Sequence, residues 1–326
     1  MEITPDIENY QEKLREVKNE VGKGIVGQET IVDAVLICLM CNGHVLLESV
    51  PGLAKTLLVS LLTATISDAK FQRIQFTPDL LPTDITGTTV YEEKKGFYTL
   101  KGPIFANFVL GDEINRAPPK VQSAMLQAME ERQVTIGRET FDLAEPFIVL
   151  ATQNPLEQAG VYPLSVAQTD RFLFKIFVDY PPEEDEILII DQNTVVREME
   201  ELEIKKVLSP SEILEMQEYV KNIQISDEVK EYIVTLVDAT RNLDSYGIKN
   251  GEYIEWGASP RASIGLSLAA RATAIINGRT YVTPEDVRDI AHNVLRHRIM
   301  LNYEGKAKGI KSDEIIDSII RDIPVF

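Results

Sequence analysis

Lys55 and Thr56 stand side by side just after an apolar run that breaks at a Pro-Gly turn, in HVLLESVPGLAKT from His44 to Thr56. A lysine and a hydroxyl placed after a strand and a tight loop suit phosphate chemistry. The loop's backbone N–H groups can wrap a β-phosphate, the ammonium can reach the β- and γ-phosphates, and the threonine hydroxyl can ligate Mg²⁺. The run that would touch a nucleotide is Ser49, Val50, Pro51, Gly52, Leu53, Ala54, Lys55, Thr56 and Leu57. Against the pattern G-x-x-x-x-G-K-[ST], however, Ser49 and Ala54 occupy both glycine positions, so two of the four fixed sites fail.

Further groups along the chain extend this chemistry. FVLGDE, Phe108 to Glu113, reads as a buried strand ending in two carboxylates at the sheet edge where the phosphate loop also opens. Asp112 can then hold Mg²⁺ through its water shell, while Glu113 orients and deprotonates an attacking water. An Asp-Glu pair often merely ends a strand in a turn, but beside Lys55 and Thr56 in one α/β domain the hydrolytic reading is favoured. IVLATQNP, Ile148 to Pro155, places Asn154 at a strand tip, where its amide can position water next to a γ-phosphate; asparagine before proline is also a routine turn. Arg171 in AQTDRF and Arg261 in ASPRA are either solvated arginines or guanidiniums aimed at a γ-phosphate, and spacing does not separate these roles.

The elements that must position these groups alternate in type. Apolar helical patterns cover 31–40 and 57–66, and strands are expected at 45–48, 71–76, 106–110, 147–151 and 172–178. Strands separated by helices predict an α/β fold with a parallel sheet. Two hairpins interrupt the rhythm, Thr88 to Leu100 with a Lys-Lys-Gly turn at Lys94, Lys95 and Gly96, and Gln133 to Leu143 turning at Gly137. After Pro181-Pro182 the pattern becomes amphipathic, with helices expected over 211–223, 226–241 and 259–277 and cap signals at Ser209, Ser226 and Thr283. The predicted division is an α/β core over residues 1–182 and an all-helical domain over 183–326.

Composition narrows the function class. The chain has 326 residues and a net charge of −18, which argues against gripping nucleic acid non-specifically, since that affinity comes from neutralising phosphates. The charged opening segment does not resemble a signal peptide, and no apolar run approaches the roughly 20 residues of a membrane span. A cytoplasmic protein is expected. Cys38 and Cys41 have C-x-x-C spacing, but with no second cysteine pair and three histidines in the chain they read as core packing on one helix side.

The motifs GHVLLESVPGLAKT, VLGDEINRAPPKVQSAMLQAMEE, VLATQNP, YPLSVAQTDRFLFKI and GASPRASIGL, in this order, resemble the MoxR-type AAA+ ATPases over nearly the whole chain. The resemblance implies an AAA+ P-loop NTPase core with a parallel sheet, a helix-2 insert hairpin at Thr88 to Leu100, a helical lid, ATP with Mg²⁺, and a homo-oligomeric ring, usually hexameric. By position, Lys55 and Thr56 match Walker A, Asp112 and Glu113 Walker B, Asn154 sensor 1, Arg171 the arginine finger acting on a neighbouring subunit, and Arg261 sensor 2, in cis or in trans. Val26 and Gly27, in IVGQE, match the loop against adenine. Ala54 is usual in this family, whereas Ser49 replaces a usual glycine, at little cost if its φ is negative and roughly 1 kcal/mol or more if left-handed. The implied function is chaperone-like remodelling or activation of a client protein, in the family's pattern with a von Willebrand factor A domain partner or in metal insertion. The alternatives are a nucleotide-binding scaffold with negligible hydrolysis, motivated by Ser49, and a nucleic-acid remodeller, favoured only by Lys94 and Lys95.

Overall fold

In the computed structural model the described residues are 4–50, 52–94, 96–155, 160–193 and 199–325; Pro51 of the phosphate loop and Lys95 of the first hairpin lie outside them. The first half contains α1 (Thr4–Val21), α2 (Glu29–Met40), β1 (Val45–Ser49), α3 (Lys55–Ala64), β2 (Phe71–Gln75) and α4 (Pro82–Thr86). A hairpin of β3 (Gly87–Glu92) and β4 (Gly96–Lys101) follows, then β5 (Phe108–Asp112) and α5 (Pro119–Glu131). A second hairpin, β6 (Gln133–Ile136) and β7 (Glu139–Asp142), precedes β8 (Ile148–Gln153), α6 (Val166–Thr169) and β9 (Phe174–Val178).

Five strands form one parallel sheet in the order β2-β5-β8-β1-β9. Their alternating side chains explain why it is covered on both faces. Val45, Leu47, Phe108, Leu110, Ile148 and Leu150 enter one apolar cluster, whereas Leu46, Val109, Val149 and Ala151 enter another on the opposite side. The register pairs Gln75 with Asp112 and Glu48 with Gln153, so the carboxyl ends that carry the polar residues align at one edge. Both expected hairpins are present: Thr88 pairs with Leu100, and the second turns at Gly137, whose φ of +65° suits glycine.

The second half is built from α7 (Glu183–Asn193), α8 (Pro210–Asn222), α9 (Asp227–Ala239), α10 (Leu243–Tyr246), β10 (Ile254–Trp256), α11 (Pro260–Ile276), α12 (Pro284–Leu295), β11 (Met300–Leu301), α13 (Tyr303–Ala307) and α14 (Ser312–Asp322). Ser209, Ser226 and Thr283 accept hydrogen bonds from first-turn N–H groups, as their sequence contexts predict. The half is helical, with one refinement to the all-helical expectation: β10 and β11 pair as a short antiparallel ribbon. Segments this short carry too little period-2 pattern to stand out beside long helices.

The polar opening segment folds as α1, an element absent from the expected set. Its apolar residues Ile7, Leu14, Val17 and Val21 recur at helical spacing and are buried. Gln11 Nε2 donates to the Ile276 carbonyl at 3.1 Å, and the Tyr10 and Tyr219 rings meet edge-on at 5.2 Å, so α1 fastens onto the helical half. Cys38 is buried and Cys41 half-buried, both free; burial raises both thiol pKa values, consistent with core packing. Among the described residues no helix is long and apolar enough to cross a membrane.

Candidate nucleotide site and arginine cluster

The phosphate loop joins the carboxyl end of β1 to the amino end of α3, so the first-turn N–H groups of α3 point toward the loop. Ser49 closes β1, is buried, and lies outside the left-handed region. Its hydroxyl accepts from Lys55 Nζ at 2.5 Å and donates to the Val50 carbonyl at 3.1 Å; Lys55 Nζ also donates to that carbonyl at 3.1 Å. The left-handed positions are Gly52, φ +90°, and Ala54, φ +50°. The cost reserved for Ser49 therefore falls on Ala54, where a Cβ in this region costs roughly 1 kcal/mol or more.

A cavity of about 540 Å³ is lined by Lys55, Thr56, Asp112, Glu113 and Asn154, together with Arg73, Gln75 and Thr152. Partial burial lowers the Lys55 pKa, and the nearby Asp112 and Glu113 charges oppose that shift. Thr152 holds the acidic pair in place. Its buried hydroxyl donates to Asp112 Oδ1 at 2.7 Å and accepts the Glu113 backbone N–H at 2.8 Å, while Glu113 itself has φ +58°. Arg73 Nη2 donates to Asp112 Oδ2 at 2.6 Å, and Gln75 Nε2 donates to Glu113 Oε2 at 3.0 Å. Sequence reasoning missed these three residues. The available signal was the period-2 spacing of Arg73 and Gln75 on β2, which register turns toward Asp112.

An apolar pocket adjoins the loop, with Val26, Leu53, Ala54 and Leu57 on one side and Tyr180, Pro181, Ile189 and Ile190 on the other. Gly27 lies between the lining residues Val26 and Gln28 with φ +73°, and a Cβ there would collide with the Asp185 carboxylate. A planar base has an apolar slot of suitable kind beside the phosphate loop.

Arg171 and Arg261 lie elsewhere. They line a separate cavity of about 270 Å³ with Glu130, Arg132, Asp170 and Arg298. Glu130, at the end of α5, pairs with Arg171 at 2.9 Å and Arg261 at 3.3 Å, and Asp170 is 3.8 Å from Arg261. Neither arginine lines the cavity that contains Lys55, and both converge on one carboxylate. Glu130 and Asp170 lie inside the quoted motifs, but spacing assigns them no role, because they act through packing between helices and loops distant in the chain.

The strand order, with Lys-Thr after β1, Asp-Glu after β5 and Asn after β8, defines an AAA-type P-loop ATPase with a helical lid. Residues 44–174 match the family "ATPase family associated with various cellular activities (AAA)", and residues 249–319 match the AAA lid domain. The chain is 47% identical to Chaperone MoxR1 of Mycobacterium tuberculosis, over 93% of this chain and 80% of that protein. It is 42% identical to the uncharacterized protein YeaC of Bacillus subtilis, over 97% of each, and 29% identical to Protein MoxR of Paracoccus denitrificans, over 98% of each. A crystal structure of a candidate ATPase from Cytophaga hutchinsonii superposes with a TM-score of 0.92 at 46% identity, covering 98% of this chain and 97% of that one. The chain belongs to the MoxR family of AAA+ ATPases.

Proposed function

We propose that this protein is an ATP-hydrolysing subunit of a homo-oligomeric, hexameric ring that remodels or activates a client protein. The observation that carries the reading is the separation of two half-sites: Lys55, Thr56, Asp112, Glu113 and Asn154 share one cavity, and Arg171 and Arg261 share another. Two guanidiniums gathered away from their own phosphate loop suit the loop of a neighbouring subunit. In this reading both arginines act in trans, and hydrolysis requires assembly.

The donor set fits ATP with Mg²⁺. Among the described residues no group of three or more His, Cys, Asp or Glu forms a protein-only metal cage. Mg²⁺ characteristically takes one or two protein oxygens plus phosphates and waters, which is what Thr56 and Asp112 offer, Asp112 through water. When bound, the ion neutralises phosphate charge. Lys55 holds the β- and γ-phosphates, Glu113 takes a proton from the attacking water, Asn154 orients that water, and the partner's guanidiniums stabilise charge developing on the γ-phosphoryl group. Val26, Gly27, Leu53 and Leu57 seat the base. A core of residues 1–182 and a lid of residues 183–326 then convert nucleotide state into hairpin movement. The chaperone name of the Mycobacterium relative supports a client protein; a von Willebrand factor A domain partner and a role in metal insertion follow from the family resemblance, and a cytoplasmic setting from composition, the two free cysteines suiting a reducing compartment.

The test is steady-state ATPase against protein concentration, with Glu113→Gln losing turnover while retaining ATP, and Arg171→Ala recovering turnover when mixed with Lys55→Ala. Absence of turnover in an assembled wild-type ring would leave a nucleotide-binding scaffold. A pull-down with the ATP-held Glu113→Gln ring tests for the client.

A further inference from the structure

Arg298, in the turn after α12, ties the lid to the core. Its side chain is only 3% exposed, and each of its five N–H groups has an acceptor. Nε donates to Asp170 Oδ1 at 2.6 Å, Nη2 to the carbonyls of Asp170 at 3.2 Å and Phe172 at 2.8 Å, and Nη1 to the carbonyl of Leu173 at 3.1 Å. The fifth bond, from Nη1 to the Val294 carbonyl at 2.5 Å, returns to its own helix. Four of the five thus grip the backbone or carboxylate immediately before and after Arg171. The neighbouring His297 and Arg296 extend the grip, with Nε2 of His297 to the Phe172 carbonyl at 3.1 Å and Nη1 of Arg296 to the Lys175 carbonyl at 3.1 Å.

We propose that Arg298 is a positioning residue for the Arg171 and Arg261 pair, locking the finger loop to the lid so that the two guanidiniums point as one unit. Asp170 makes the connection to the second arginine. One of its oxygens accepts from Arg298, while the other lies 3.8 Å from Arg261 and accepts the Ser259 hydroxyl at 3.4 Å at the start of α11. Simple lid packing needs no cation here, since burying a guanidinium is costly unless every donor is satisfied and the charge is paired. The fork of an arginine can hold several carbonyls in fixed relative orientation, which an apolar side chain or a lysine cannot. Lid movement therefore carries the finger loop with it, so the direction of Arg171 in one subunit follows the nucleotide state read by that subunit's lid.

This role rests on the trans reading of Arg171, and the test separates the two. Arg298→Lys retains a cation for Asp170 but cannot span the three core carbonyls. Assembled rings of this variant should bind ATP with KM within about twofold of wild type, while kcat falls about 10- to 100-fold, the scale of a misplaced catalytic group. Mixing Arg298→Lys with Lys55→Ala should recover turnover, because intact fingers then face intact phosphate loops, just as an Arg171→Ala and Lys55→Ala mixture should. Wild-type kcat in Arg298→Lys overturns the positioning role; so does a lost kcat that the mixture fails to recover while the Arg171→Ala mixture recovers. Failure of the Arg171→Ala mixture overturns the trans reading itself. If Arg298→Lys does not fold, Asp170→Asn, which retains the backbone acceptors, is carried through the same measurements with the same outcomes.

Discussion

The phosphate-loop cavity and the arginine cavity are built on opposite plans. The first collects residues from the carboxyl ends of the parallel strands and the loops that follow them: the β5–β8 register brings Asp112, Glu113 and Thr152 together, and the loop after β1 brings Lys55 at the start of α3. The second collects Glu130, Asp170, Arg171, Arg261 and Arg298 from an α5 end, the loop before β9, and the lid. The difference teaches that the phosphate-loop side is built from the core, whereas the arginine side needs residues of both the core and the lid.

The largest effect should come from emptying the arginine side. Arg171→Ala should lower turnover about 10³- to 10⁵-fold with little change in nucleotide affinity. Equal loss of binding and turnover would place Arg171 at its own phosphate loop and collapse the distinction. On the core side, Glu113→Gln should reduce turnover about 10²- to 10⁴-fold and leave ATP bound, checked by single-turnover assay and nucleotide retention.

Acid should weaken the wall of the arginine cavity, which His44 lines. His44 is buried with Nδ1 accepting the Val149 N–H and Nε2–H donating to the Met129 carbonyl, one residue before Glu130. Burial pushes its pKa down to about 3, with Arg132 adding to the effect. Because the unfolded state binds this proton first, stability from neutral His44 is present above about 6.5 and is lost as pH falls toward 3, by roughly 2 kcal/mol at pH 5. His297 shifts the same way, chiefly through burial. Chemical denaturation between pH 5 and 7.5 should show the slope, and His44→Gln should flatten it; an unchanged slope would count against the assignment.

Smaller effects sharpen the core side. Thr152→Val strands the Glu113 N–H and one Asp112 oxygen, and should cost about 1–3 kcal/mol in stability along with a drop in kcat. Ala54→Gly removes a left-handed Cβ and should raise stability by up to about 1 kcal/mol, net of glycine's greater chain entropy. A lower melting temperature would show that the loop tolerates alanine there without strain.

Legibility followed the same division as the chemistry. The phosphate loop, the Asp-Glu pair and the Asn-tipped strand were readable because each is a short segment whose spacing expresses its own function. Ser49 was singled out as the irregular position, yet it is an extended strand residue hydrogen-bonded to Lys55, and the left-handed residue is Ala54. Residue type alone does not reveal φ. The helix α1 was also passed over, because its few apolar residues become a buried stripe only against the helical half.

The order of motifs in the chain determined the family and the parallel α/β sheet and singled out the candidate hydrolytic residues, since local spacing places lysine, carboxylates and amide at strand ends whatever lies beyond them. Only the tertiary structure decided which groups support them. Thr152 reaches Asp112 through strand register, and Arg171 meets Arg261 through Glu130 because α5 and the lid pack beside the same loop. Contacts between residues 40 to 131 positions apart depend on packing that no short pattern encodes.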